Sequence, residues 1–182
     1  MRNEGICFPS FLSPTDCDKI DEFLNRDAAP QLKDNPASIL KQANTKIVPW
    51  ILSRIYLSPI EDLVFKVNSS SFNFDINRFN ELNTVNYNVY DSKEQGQYDW
   101  HSDSNGNHPT VDTKLTVVVS LSTEPYEGGD LEVFVNKPQA IKDLRIPGTV
   151  FIFPSYTQHR VTPVTQGVRK TLSFWIEGPN FR

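Results

Sequence analysis

The fold is decided by residues 150–176, Val150-Phe151-Ile152-Phe153-Pro154-Ser155-Tyr156-Thr157-Gln158-His159-Arg160-Val161-Thr162-Pro163-Val164-Thr165-Gln166-Gly167-Val168-Arg169-Lys170-Thr171-Leu172-Ser173-Phe174-Trp175-Ile176. β-Branched and aromatic residues crowd three short runs, Val150 to Phe153, His159 to Val161 and Val168 to Ile176, and Thr162-Pro163 and Gln166-Gly167 supply turn chemistry between the last two. Side chains alternate across a strand. The last run therefore places Arg169, Thr171, Ser173 and Trp175 on one face, and Lys170, Leu172, Phe174 and Ile176 on the other. A turn over Thr162 to Gly167 returns the chain antiparallel to itself, which brings Arg169 close to His159.

Working outward, Leu115 to Leu121 is a β-branched run that reads as a central strand. Leu131 to Val135 is another strand, set off by Glu127-Gly128-Gly129-Asp130 and Pro147-Gly148. Val85, Tyr87 and Val89 alternate with Asn86, Asn88 and Tyr90, and Phe72, Phe74 and Ile76 alternate with small or polar residues, so both stretches read as half-buried strands. Many short strands at this spacing predict a sandwich or barrel. The first third reads as helix. Ser13-Pro14-Thr15-Asp16 has a cap, a proline at the first helical position and an acid near the positive helix end. Cys17, Ile20, Phe23 and Leu24 follow at helical spacing. Asn35-Pro36 starts a second candidate helix through Ile39 and Leu40. A third runs from Trp50 to Val67, where Pro59 either kinks or divides it.

The 182 residues carry a net charge of −4, with 38% hydrophobic and 12% aromatic residues. That composition supports a packed core and excludes a disordered chain. The acidic balance argues against a nucleic-acid binder. No apolar run approaches the ~18–20 residues that cross a bilayer, and Met1 to Cys7 shows no signal-peptide core, so the sequence reads as a cytoplasmic protein without membrane association. Two cysteines, Cys7 and Cys17, exclude a disulfide scaffold and a cysteine-rich metal site. A metal site must therefore draw on carboxylates and on the three histidines, His101, His108 and His159.

His101-Ser102-Asp103 follows Tyr98 and Trp100. On a strand, residues two apart share a face, so this imidazole and carboxylate can share one ion. A lone His-x-Asp is weak as a signal, and a surface histidine beside an acid has the same spelling. His159 is the natural third ligand, and two histidines with one carboxylate form the facial triad of non-haem iron(II) sites. A triad of His101, Asp103 and His108 is also geometrically possible but leaves Arg169 without a purpose. His108, in Ser104-Asn105-Gly106-Asn107-His108-Pro109, otherwise reads as a solvated loop residue. Arg169 alone reads as a solvent-facing arginine at a hairpin end; beside a triad, its planar guanidinium can grip a carboxylate bidentately.

Taken together, Tyr90, Gly96-Gln97-Tyr98-Asp99-Trp100-His101-Ser102-Asp103, Glu127-Gly128-Gly129-Asp130-Leu131-Glu132-Val133-Phe134, Pro147-Gly148-Thr149-Val150-Phe151-Ile152-Phe153-Pro154-Ser155, His159 and Arg169 resemble the 2-oxoglutarate- and iron(II)-dependent dioxygenases. The likeness is greatest to the prolyl-4-hydroxylase-like group in its PKHD-type form. It implies a mainly β fold, a double-stranded β-helix (jelly roll, cupin-like) core buttressed by N-terminal helices. Residues 1–182 then form one domain, with 1–68 as mainly helical support and 69–182 as the core carrying the site. By position, the resemblance makes His101, Asp103 and His159 the Fe(II) ligands and Arg169 the partner of the distal carboxylate of 2-oxoglutarate. It places Tyr90, Ser173 and Trp175 around that cosubstrate. On Leu115 to Leu121, where relatives often present tyrosine or threonine to the cosubstrate, Val117 and Val119 are expected on the inward face.

The implied activity uses Fe(II), 2-oxoglutarate and O2, with ascorbate in support, and releases succinate and CO2 while hydroxylating a C–H bond. A prolyl residue of a peptide or protein is the leading substrate, and a free amino acid or other small molecule is its rival. Nucleic-acid demethylases among the relatives carry a further arginine shortly after the first, whereas this chain reads Arg169-Lys170-Thr171-Leu172-Ser173. A catalytically inactive metal-binding jelly roll is the non-enzyme alternative, and the intact triad with Arg169 argues against it. Substrate choice is expected to lie in the loops Asp91 to Gln97 and Ser104 to Thr113 and in the region before Phe72.

Overall fold

The structure is a computed structural model and describes residues 4–26, 31–33, 40–104 and 109–181. In chain order the elements are β1 (Ile6–Phe8), α1 (Pro14–Arg26), β2 (Gln31–Lys33), β3 (Lys41–Gln42), β4 (Asn44–Pro49), α2 (Trp50–Val67), a π-helical turn (Asn68–Phe72), β5 (Thr84–Asp91) and β6 (Gln97–His101). There follow β7 (Val111–Ser120), β8 (Glu127–Gly128), β9 (Leu131–Val135), β10 (Lys137–Ala140), β11 (Val150–Pro154), β12 (His159–Val161), β13 (Val164–Gln166) and β14 (Val168–Pro179). The strands build a seven-stranded sheet in the order β1-β11-β7-β14-β5-β4-β2, a five-stranded sheet in the order β10-β9-β12-β6-β3 and a short β8–β13 ladder. All of these ladders are antiparallel.

Two hydrophobic layers follow from strand alternation. On one face of the larger sheet, Val85, Tyr87, Leu115, Val117, Val119, Val150, Ile152, Leu172, Phe174 and Ile176 pack against α1 and α2, which contribute Cys17, Ile20, Leu24, Trp50, Leu57, Ile60 and Val64. On the other face, Tyr90, Val118, Phe151 and Phe153 join Leu131, Val133 and Val161 of the smaller sheet. β7 is covered on both sides and is buried continuously from Lys114 to Ser120. The resulting two-sheet sandwich with helices on one face is the mainly β architecture that the resemblance implied.

The helix signals at the N-terminus are realised. Ser13 Oγ accepts from the Asp16 amide at 3.1 Å and donates to the Asp16 carboxylate at 2.7 Å, a reciprocal cap at the helix N-terminus. α2 runs unbroken through Pro59. The proline deprives the Ile55 carbonyl of its helical partner, and Ile55 is 80% exposed, so water can take that bond.

Three readings are corrected or bounded. The helix expected from Asn35 lies largely outside the described residues, and the chain after it forms β3 and β4; the described part of residues 1–68 thus also holds four strands. Phe72 to Ile76 is not a strand: Phe72 closes the π-helical turn, Asn73 adopts a left-handed φ of 54°, and residues 73–80 are irregular. The alternation there is real as burial, because Phe72, Phe74 and Ile76 all pack against the helix-side core. What replaces a sheet partner is the Asn68 side chain, which donates to the Phe74 carbonyl at 2.9 Å and accepts from the Phe74 amide at 3.0 Å. Among the described residues, no helix is long and apolar enough to cross a membrane.

Asn68 is buried and closes both backbone groups of Phe74. Replacing it with Ala strands a half-buried donor and acceptor and should cost about 2 kcal/mol in urea denaturation. A cost below ~0.5 kcal/mol would show that the Phe74 segment does not depend on this clamp.

Candidate active site

β6 and β12 are paired so that His101 and His159 lie opposite each other, with ring centroids 4.1 Å apart. Each ring is fixed from behind by a backbone carbonyl two residues earlier: His101 Nδ1 to the Asp99 oxygen at 2.7 Å, and His159 Nδ1 to the Thr157 oxygen at 2.9 Å. A carbonyl only accepts, so Nδ1 carries the proton on both rings and each Nε2 presents its lone pair. Tyr98 stacks on His101 at 3.6 Å and Phe153 meets His159 edge-on at 4.9 Å, which holds the ring planes.

Asp103 completes the cluster, but not as a strand residue. β6 ends at His101, and Asp103 lies in the turn beyond it. Its Oδ1 is 3.7 Å from His101 Nε2 and its Oδ2 is 3.4 Å from His159 Nε2. The ligand atoms of the three residues all lie within 4.8 Å of one another. Burial, and then the neighbouring His159, push the His101 pKa down to about 4, so its imidazole is neutral near pH 7, the form that binds a metal. Two imidazole nitrogens and one carboxylate converging on one point from one side is the donor set of a facial-triad site.

The same cleft extends along β14. Arg169, Thr171, Ser173 and Trp175 all line it, as alternation predicts. Arg169 is 2% exposed, pairs in register with Tyr90, and lies over the Tyr90 ring at 5.2 Å. Among the described residues, no carboxylate comes within 4 Å of its guanidinium. A buried cation without a counter-charge is costly, and an anionic ligand in the cleft would relieve that cost. Ser173 Oγ accepts from Asn88 Nδ2 at 3.3 Å. Trp175 Nε1 is buried and has no hydrogen-bond partner among the described residues, an N–H left for something bound in the cleft.

The inward face of β7 is corrected. Thr116 and Val118 line the cleft, whereas Val117 and Val119 belong to the helix-side core. Thr116 Oγ1 donates to Asp103 Oδ2 at 2.7 Å. The cleft also takes Lys41, Asn86 and Asn88, which the sequence reading did not assign to the site. Lys41 Nζ donates to Thr45 Oγ1 at 2.8 Å and to Asn88 Oδ1 at 3.2 Å. The two asparagines were visible as the polar half of the β5 alternation; Lys41 was hidden in a segment read as helix. His108 lies outside the described residues.

The depressed pKa of His101 sets a pH dependence. Its proton binds more weakly in the folded state, so between about pH 6.5 and pH 4 the unfolded chain holds more protons and folding stability falls as the pH falls. In metal-free protein, thermal denaturation should show this loss, and His101→Gln should flatten it. An unchanged slope in the variant would place the titration elsewhere.

The sequence pattern of the 2OG-Fe(II) oxygenase superfamily matches residues 85–177, just over half of the chain. A PKHD-type hydroxylase of Acidovorax ebreus is 38% identical over 89 residues, which is 45% of this chain and 38% of that protein; the match thus spans well under half of the relative's length. The structure superimposes on a Pseudomonas putida prolyl-4-hydroxylase with a TM-score of 0.74 at 18% identity, covering 97% of this chain and 94% of that one. It superimposes equally on a prolyl hydroxylase from Trichoplax adhaerens in complex with a peptide fragment of hypoxia-inducible factor, with a TM-score of 0.74 at 19% identity over 96% and 83% of the two chains. At such identity the solved structures establish the shared fold. The matched segment holds every strand of the cleft from β5 to β14 apart from Thr84 and the last two residues of β14, and on that match the chain belongs to the 2OG-Fe(II) oxygenase superfamily.

Proposed function

We propose that this chain is an Fe(II)- and 2-oxoglutarate-dependent dioxygenase that hydroxylates a prolyl residue of a peptide or protein. His101, Asp103 and His159 hold the metal in this reading, and Arg169 holds the distal carboxylate of 2-oxoglutarate. One observation carries it: a single cleft contains both a cluster of two Nε2 lone pairs with a carboxylate and a buried guanidinium with no carboxylate beside it among the described residues.

When bound, iron(II) with 2-oxoglutarate supplies activation of O2, conversion of the cosubstrate to succinate and CO2, and delivery of one oxygen atom to a C–H bond. The chain's own residues prepare that chemistry. His101 and His159 each turn Nε2 to the cleft, with Nδ1 held by the Asp99 and Thr157 carbonyls. Arg169 donates bidentately to a carboxylate, and the Tyr90 ring packs against the guanidinium and keeps it aimed. Val118, Leu131 and Val161 line the cleft with apolar surface, which excludes water and strengthens the Arg169 contact. The Ser173 hydroxyl and the Trp175 N–H are placed to donate to oxygens of the bound cosubstrate or substrate. The peptide bound to the Trichoplax adhaerens neighbour and the hydroxylase naming of the relatives favour a prolyl peptide.

A second reading, a small polar molecule such as a free amino acid, is favoured by the polar wall of Lys41, Asn86 and Asn88. Incubation with a lysate peptide pool and with a metabolite pool, read by mass spectrometry, separates the two. One added oxygen on proline supports the first, and one on a metabolite supports the second. Neither, with no 2-oxoglutarate consumed, supports an inactive jelly roll.

Purified protein with Fe(II), ascorbate and 2-oxoglutarate should form succinate, and His101→Ala should abolish it. Arg169→Ala should raise the 2-oxoglutarate concentration for half-maximal rate by about 100-fold (~3 kcal/mol), the scale of removing one member of a buried charge pair. Wild-type protein that neither binds nor consumes 2-oxoglutarate would overturn the proposal.

A further inference from the structure

We propose that Thr116 and Ser155 are positioning residues that hold the Asp103 carboxylate through Oδ2 and so reserve Oδ1 for the metal. This rests on the metal-binding reading of His101, Asp103 and His159.

The argument begins with the backbone. Asp103 lies past the end of β6, where no ladder fixes it. Ser155, at the end of β11, supplies the missing anchor: its carbonyl accepts from the Asp103 amide at 2.9 Å and from the Ser104 amide at 3.0 Å, and its own amide donates to the Lys114 carbonyl of β7 at 3.0 Å. The turn bearing Asp103 is thereby tied to the sheet bearing Thr116.

The side chains continue the connection. Thr116 Oγ1 lies 2.7 Å from Asp103 Oδ2 and 3.0 Å from Ser155 Oγ. A hydroxyl has one proton. The carboxylate can only accept, so the Thr116 proton goes to Asp103, and Ser155 must then donate to Thr116. The result is a directed chain, Ser155 O–H to Thr116 O–H to the carboxylate, in which each bond polarises the next. Both hydroxyl residues are buried, at 0% and 2% exposure for Ser155 and Thr116, so bulk water does not compete for these bonds.

The consequence falls on the two oxygens of Asp103. Oδ2 is engaged by a charge-assisted hydrogen bond, while Oδ1 faces His101 Nε2 without a hydrogen-bond donor among the described residues. A carboxylate held this way binds a metal through one oxygen. Chelation through both would consume a further coordination position that exogenous ligands need. Partners of this kind to a metal-binding carboxylate are typically worth 10–100-fold in metal affinity.

The test uses Co(II) binding to the full chain under anaerobic conditions, followed by calorimetry and by the visible absorption of the bound ion, with thermal denaturation of the metal-free protein alongside. Thr116→Val preserves shape and removes the hydroxyl. It should weaken Co(II) binding 10–100-fold and alter the absorption spectrum, a spectral change that a lowered denaturation midpoint of the metal-free protein would not by itself produce. Thr116→Ser should restore affinity to within about threefold of wild type. Ser155→Ala retains the backbone anchors and should weaken binding less than Thr116→Val. Wild-type affinity and spectrum in Thr116→Val would overturn the clamp, as would failure of Thr116→Ser to restore them. Wild-type protein that binds no Co(II) would instead overturn the metal reading on which the clamp rests.

Discussion

The register of β14 between β5 and β7 is the constraint on which the rest of the structure depends. Leu172, Phe174 and Ile176 are all but fully buried in the helix-side core, and each fully buried large apolar side chain stabilises the fold by roughly 1.5–3 kcal/mol. Because side chains alternate, seating these three forces Arg169, Thr171, Ser173 and Trp175 into the cleft. A slip by one residue would exchange the two sets, exposing the apolar residues to the cleft and driving a guanidinium into the helical layer. The hydrophobic core therefore places Arg169 opposite Tyr90 and Trp175 opposite Thr116. Stability and site geometry are two consequences of one pairing.

The cleft between the sheets is electrostatically unfinished in the protein itself. At the His101, Asp103 and His159 cluster, two imidazole nitrogens and a carboxylate converge. Among the described residues, Arg169 is a cation with no carboxylate beside it, and Trp175 keeps a buried donor without an acceptor. Folded proteins rarely tolerate such groups without a use for them. A divalent metal and a dicarboxylate have the complementary charges, which is why the family's cosubstrate and metal fit a cleft whose contents were established from geometry alone.

The sequence was most legible where the two faces of a strand differ. β14 alternates polar and apolar, so its phase could be read, and with it the cleft residues from Arg169 to Trp175. β7 offered no such contrast: from Lys114 onward both of its faces are buried, so Val117 and Val119 were placed inward when Thr116 and Val118 are the inward pair. Thr116 and Ser120, polar residues of the same phase in that run, were the available clue. Phe72 to Ile76 shows the limit of alternation in the other direction, because burial recurred every second residue while the Asn68 side chain did the work of a neighbouring strand. Lys41 and the Ser155 anchor come from segments distant in the chain, and their place beside the site depends on tertiary pairing that no local pattern records.

The most direct test of the account is an anaerobic crystal structure with Fe(II) and 2-oxoglutarate, with the iron located by its anomalous scattering. The account predicts one iron bound by His101 Nε2, one Asp103 oxygen and His159 Nε2, with the distal carboxylate of 2-oxoglutarate against Arg169. Iron bound by other residues, or 2-oxoglutarate lying with that carboxylate away from Arg169, would contradict it.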